Sequence, residues 1–160
     1  MSKSDFSDVL AKIPYGVSVV TMGRGGVKVE NGLTVSWMSQ VSFNPPMLMV
    51  VVDKLHYSVD LLRSTKNFCV NLLGEDQTAL AGRFAKQATN RDDKLAEVAQ
   101  RPAESGAAIL TDAVAYFDCE VASITEAGDH LVVIGKIEDA AVLNDRAPLT
   151  TASGLRYRKG

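Results

Sequence analysis

At 160 residues, with 46% apolar and 22% charged side chains, the chain has the balance of a soluble globular protein and is expected to form one domain, 1–160, around a sizeable core. Seventeen Lys and Arg against nineteen Asp and Glu give a formal net charge of −2, and the longest basic cluster is Arg156-Tyr157-Arg158-Lys159, so nucleic acid is not an expected partner. No apolar run reaches the roughly 18 residues that would cross a membrane, the N-terminus lacks the apolar core of a signal peptide, and the expected location is the cytoplasm.

In chain order, Ser4–Lys12 reads as a short amphipathic helix, with Ser4 as N-cap, Phe6, Val9, Leu10 and Ile13 on one face, and Pro14 ending it. Tyr15–Met22 is apolar and β-branched, a strand with little solvent on either face. Gly23-Arg24-Gly25-Gly26 supplies a hairpin turn; it is not a dinucleotide fingerprint, because a strand rather than a helix follows it.

That next strand, within Asn31–Pro46, is the most informative stretch. Asn31-Gly32 opens it and Asn44-Pro45-Pro46 stops it. Leu33, Val35, Trp37, Val41 and Phe43 alternate with Thr34, Ser36, Met38, Gln40 and Ser42, with Ser39 interrupting the apolar set. No charge occurs between Asn31 and Val52. A face of hydroxyls and amides without charge suits a neutral, oxygen-rich ligand; the alternative, which the pattern alone favours, is a strand lying at a subunit interface or under a loop.

Met47–Asp53 is a continuous apolar run, expected to be a strand buried on both faces. Leu55–Ser64 reads as a helix, Phe68–Leu73 as a strand, and Gln77–Lys86 as a helix with Leu80 and Phe84 four apart. Gln87–Ala108 is polar and irregular, with one helical turn expected around Lys94–Val98. Ala113–Ile124 and His130–Val142 alternate as strands, joined by the hairpin Glu126-Ala127-Gly128-Asp129, and Pro148 onward reads as a short strand or arm. The sum is a mainly β chain of six strands with inserted helices, an antiparallel barrel or sandwich.

The chemistry is sparse. The sequence holds no GxSxG, HExxH or Walker A motif and no zinc-type cysteine pairing. Cys69 and Cys119 stand far apart within apolar strands and read as small core residues. With two histidines, His56 and His130, no multi-histidine metal site is expected. A polar pocket without an evident nucleophile suits a protein whose bound cofactor carries the reactivity.

The stretches YGVSVVTM, NGLTVSWMSQVSFNPPMLMVVVDK, SVDLLRSTKNFCVNLL, LAGRFA and DCEV…AGDHLVVIGKI, in that order from Tyr15 to Ile137, resemble the flavin reductase-like family of FMN-binding split barrels. The opening strand is also similar to the C-terminal flavin domain of some flavodiiron proteins. The resemblance implies a six-stranded antiparallel Greek-key split barrel, a homodimer, and a flavin near the subunit contact, FMN or alternatively FAD, with NAD(P)H as co-substrate. It implies hydride transfer from nicotinamide to flavin and onward to free flavin, ferric complexes or a partner redox protein; the alternative is a non-enzymatic FMN electron carrier reduced by a partner.

The cofactor-binding set implied is Leu33, Thr34, Val35, Ser36, Trp37, Met38 and Ser39 on the opening strand, Asp53, Lys54 and Ser58 at the following helix start, and Arg83, Phe84 and Lys86 beyond. A flavin phosphate carries about two negative charges near neutrality and seeks cations, hydroxyls and helix N-terminal amides. Lys54 and Ser58 are the expected phosphate ligands, with His56 as a surface residue or phosphate-side donor. His130 is the implied catalytic residue, by the nicotinamide.

Overall fold

The computed structural model describes residues 5–23, 31–85, 95 and 97–153. Among these the order is α1 (Ser7–Leu10), β1 (Ser18–Met22), β2 (Asn31–Val35), β3 (Met38–Phe43), β4 (Pro46–Asp53), α2 (Ser58–Thr65), β5 (Asn67–Leu72), α3 (Thr78–Ala85), β6 (Gln100–Pro102), β7 (Ala108–Leu110), β8 (Ala115–Ala127) and β9 (His130–Val142). Seven strands form one antiparallel sheet in the order β2-β1-β5-β8-β9-β4-β3, and β6-β7 make a separate hairpin. No helix among the described residues is long and apolar enough to cross a membrane.

The two margins of this sheet, β2 and β3, are consecutive in the chain and separated only by Ser36 and Trp37. Three peptide units reach at most about 11 Å, so the sheet must curl until its margins approach. The expected count of six strands is corrected to seven here: the single strand read through Leu33–Phe43 is two. The alternation does not survive the break. Leu33 and Val35 are buried and Met38 packs against the same core, whereas Val41 and Phe43 are 47% and 88% exposed. A register shift between Gln40 and Ser42 adds to this turn-out.

Inside the curl, Val20, Leu33, Val35, Leu48, Val50, Val52, Phe68, Val70, Leu131 and Val133 form one core, joined by Val59 and Leu62 of α2. A second cluster, with Val17, Val19, Leu73, Ala81, Phe84, Leu110 and Leu149, covers the other side of β1. That cover explains why all of β1 is buried, as expected from its composition. For β4 the expectation of two buried faces is corrected: Leu48, Val50 and Val52 are buried, but Met47, Met49 and Val51 remain half-buried. Nothing in an apolar run distinguishes a strand covered on both faces from one whose second face is only partly covered.

Cys69 and Cys119 are free, buried core residues, and burial pushes both thiols up. Gly135 of β9 lies against the Phe68 ring: a Cβ there would stand 2.7 Å from ring Cε1 and 2.8 Å from Cys119 Cβ, and nearer still to Cζ. The 100–110 hairpin is pinned by buried polar groups. Asn71 Nδ2 donates to the Val19 and Ala108 carbonyls, the Asn71 side-chain oxygen accepts from Leu110 N–H, and Thr21 Oγ1 donates to the Ala108 carbonyl. The buried Asp118 carboxylate accepts from both the N–H and the hydroxyl of Ser105. The expected arm after Pro148 is present: Val17 N–H donates to Leu149 and Leu149 N–H donates to Leu73.

The helices are shorter than expected. The first is a single turn whose Phe6, Val9, Leu10 and Ile13 stay exposed rather than packing, and α2 begins at Ser58 rather than Leu55. Ser4, most of the glycine turn 23–26, the start of the 94–98 turn and Tyr157 lie outside the described residues.

Candidate functional site

Among the described residues, a grouping of chemically capable side chains lies where β4 ends beside the β8–β9 hairpin. Asp53, last in β4, pairs in register with His130, first in β9. Gly128 takes φ 62° in the two-residue turn, a conformation that favours glycine, and Asp129 follows. His130 Nδ1 and Asp129 Oδ1 are 2.6 Å apart. The His130 ring lies 4.7 Å from the Trp37 ring, tilted by 41°. Trp37 is tied to the sheet through its carbonyl, which accepts from Val51 N–H. The hydrogen bond from His130, then its charge, hold the Asp129 carboxyl below the usual carboxylate range, and Lys54 adds to this.

The start of α2 is organised differently from the expectation. Asp53 Oδ1 accepts from Leu55 N–H at 2.8 Å, and the Asp53 carbonyl from His56 N–H. His56 Nδ1 accepts from Ser58 N–H at 3.1 Å, the His56 carbonyl accepts from Val59 N–H, and Lys54 N–H donates to Asp129. Most of the helix-entry amides that an anion was expected to use are thus engaged within the protein. What the turn offers instead is the exposed Lys54 side chain and the Ser58 hydroxyl, 3% exposed and without a hydrogen-bond partner. A buried hydroxyl left unpaired is unfavourable, and an oxygen-rich ligand is one way to satisfy it. The donor set fits a phosphate-bearing group in its chemistry.

The remaining expected residues divide. The side chains of Leu33 and Val35 belong to the core. Thr34 Oγ1 donates to the Ala81 carbonyl at 2.6 Å, and Phe84 packs over Gly32, so both dock α3 on β2. Ser36 is half-buried at the break, Met38 packs on the core, and the exposed Ser39 donates to the Gln40 carbonyl. Arg83 is exposed on α3, beside Leu80 and Val98 in an open groove. Lys86 lies outside the described residues.

Asp129 was not expected as a participant, and His56 was expected as a surface residue or phosphate-side donor rather than an acceptor. Asp129 was read only as a hairpin residue, although the Gly-Asp-His order hints at a tight turn beside an imidazole. His56 acts as an acceptor for the N–H of Ser58, the first residue of α2. A third contribution comes from backbone: β2 and β3 are margins, so each has one edge outside the ladder, and both edges come from residues around Ser36-Trp37. Main-chain donors and acceptors along such an edge can meet the rim of a heterocycle.

The model of the Flavin reductase like domain matches residues 10–159. A flavin reductase of Pseudomonas putida is 33% identical over 155 residues, covering 97% of this chain and 86% of that protein. The reductase subunit of a flavin-dependent monooxygenase from Mycobacterium tuberculosis is 34% identical, covering 83% of this chain and 68% of the subunit. Among solved structures, the NADH:FAD oxidoreductase of Streptomyces globisporus in complex with NAD and FAD fragments superposes with a TM-score of 0.83 at 29% identity, covering 95% of this chain and 88% of that one. The curled antiparallel sheet is that of a flavin-dependent oxidoreductase. The chain belongs to the flavin reductase-like family.

Proposed function

We propose that the protein is an NAD(P)H-dependent flavin reductase that binds FMN along the β2–β3 margin and supplies reduced flavin to a flavin-dependent oxygenase. The observation that carries this reading is the Trp37–His130–Asp129 cluster at the junction between the sheet margins β2 and β3, and the unpaired Ser58 hydroxyl at the start of α2 adds to it. The flavin supplies the redox chemistry when bound, accepting a hydride from the nicotinamide.

The chain's own residues bind and orient. The margin backbone near Ser36 and Trp37 holds the ring edge, while Lys54 and Ser58 take the phosphate. Ser39 of β3 and Asp53 of β4 complete the proposed set, and Arg83 adds charge from α3. His130, braced by Trp37, stands where the nicotinamide enters. FMN and FAD share the ring and the first phosphate, so FAD would make the same contacts up to its second phosphate. The relatives support an oxygenase as the consumer of the product. Val41 and Phe43, exposed on an uncharged margin strand, suit coverage by a second copy, so the working unit is a homodimer.

Anaerobic addition of NADH or NADPH to the flavin-loaded protein tests the reading. Loss of the visible flavin absorption within seconds is expected. A spectrum unchanged by either nucleotide overturns it.

A further inference from the structure

We propose that Asp129 is a positioning residue: it fixes His130 with its Nδ1 protonated, so that a bound nicotinamide nucleotide meets this histidine only through Nε2. The proposal rests on the reading of His130 as a nicotinamide-side residue. An ionised carboxylate only accepts hydrogen bonds, so at a separation of 2.6 Å the proton between the two groups belongs to Nδ1, whether the imidazole is neutral or cationic. Asp129 stays ionised into the acid range because His130 and Lys54 favour its charge.

The ring is constrained on other sides too. Trp37 lies along it at 4.7 Å, and strand pairing sets His130 opposite Asp53. Among the described residues, Nε2 has no hydrogen-bond partner. The Gly128 turn, at φ 62°, brings the carboxylate next to the ring. The charged groups around the pair are Asp53 across the ladder and Lys54, whose N–H donates to the Asp129 carbonyl.

The chain's other histidine has the opposite pattern. His56 Nδ1 accepts the Ser58 N–H, which requires a bare Nδ1 and a proton on Nε2. The protein has two histidines, and the structure assigns them opposite tautomers. This gives a readout independent of activity.

The test uses the full chain labelled with ¹⁵N-histidine and long-range ¹H–¹⁵N spectra recorded at a pH where both imidazoles are neutral, with His56→Asn to assign the signals. Wild type is expected to show one Nδ1–H and one Nε2–H imidazole. Asp129→Ala is expected to shift His130 to Nε2–H, and to lower kcat/KM for the nicotinamide nucleotide about tenfold while flavin affinity is retained. Asp129→Glu is expected to restore the tautomer in part. Two Nε2–H imidazoles in wild type, or a His130 spectrum unmoved by Asp129→Ala, overturn the proposal whatever the activity. A tautomer that moves while kcat/KM does not also overturns it. A wild-type protein whose flavin no nucleotide reduces defeats the reductase reading instead, and leaves the tautomer result to be read separately.

Discussion

Replacing Gly135 by alanine probes the closeness of the sheet's interior. Gly135 stands in register between Leu48 of β4 and Val121 of β8, and its backbone is not among the positive-φ positions, so alanine is not strained by conformation. The strain is steric. Carbon atoms rest at about 3.5–4.0 Å, but the new methyl would lie 2.7 Å from Phe68 Cε1 and 2.8 Å from Cys119 Cβ. Phe68 and Cys119 are essentially unexposed and cannot swing into solvent. Relief therefore requires β9 to move away from β5 and β8.

Overpacking of this kind costs about 1–3 kcal/mol, with the upper end expected here because neither neighbour is a flexible side-chain end. Loss of unfolded-state freedom on Gly→Ala offsets about 0.5 kcal/mol. The net expectation is about 2–3 kcal/mol, or a fall in Tm of about 5–10 °C at this length. Urea and thermal unfolding of Gly135→Ala, Phe68→Leu and the double variant check it. Phe68→Leu alone is expected to be destabilising through the cavity it leaves. In its background the alanine should be accommodated, with a coupling of at least about 1 kcal/mol in favour of the double variant. A single Gly135→Ala within about 0.5 kcal/mol of wild type, or an equal penalty in both backgrounds, refutes the reasoning.

Ser58→Ala should act with opposite signs in two states: slightly more stable without ligand, because an unpaired hydroxyl is removed from the core, yet roughly tenfold weaker for flavin. Lys54→Ala should weaken flavin binding by about 1 kcal/mol at low salt and less at high salt; fluorescence titration of both variants checks this, and unchanged affinity in each removes the helix start from the phosphate site. Burial holds the Asp118 carboxyl above its ordinary value, against the two hydrogen bonds from Ser105 and with help from Asp139 and Glu138. A folded-state value above the unfolded one means that the stability Asp118 contributes is full in acid and is lost as pH rises through the folded value. Asp118→Asn should therefore gain Tm relative to wild type on going from about pH 3 to about pH 7; a relative loss over that range contradicts the assignment.

Much of the sheet was legible because its residues obey the period-two rule locally. β1 could be read as doubly buried from five apolar or small residues in succession, and the long β8–β9 pair from its alternation. The break at Ser36-Trp37 could not, because small polar and apolar residues keep alternating through it without a glycine or proline. The chain bends there to connect two margins of a sheet, which is a property of the topology. β4 misled for a related reason, since Met47, Met49 and Val51 are as apolar as a core strand while lying half-buried. At the site, the Gly-Asp-His turn and the Lys54–Ser58 segment were visible, but not the direction of their hydrogen bonds. Thr34 offered a hydroxyl that α3 had already engaged, and His56, readable as a donor, is an acceptor.

The junction at Ser36-Trp37 works like the clasp of a bracelet. The two ends of the hydrogen-bonded ladder are farthest apart in pairing order yet nearest in the chain, so neither can fray without pulling on the other. Loosening the clasp releases both ends at once, and a molecule that grips it holds the circumference. Amide exchange along β2 and β3 is accordingly expected to be coupled, with slower exchange in the rest of the sheet.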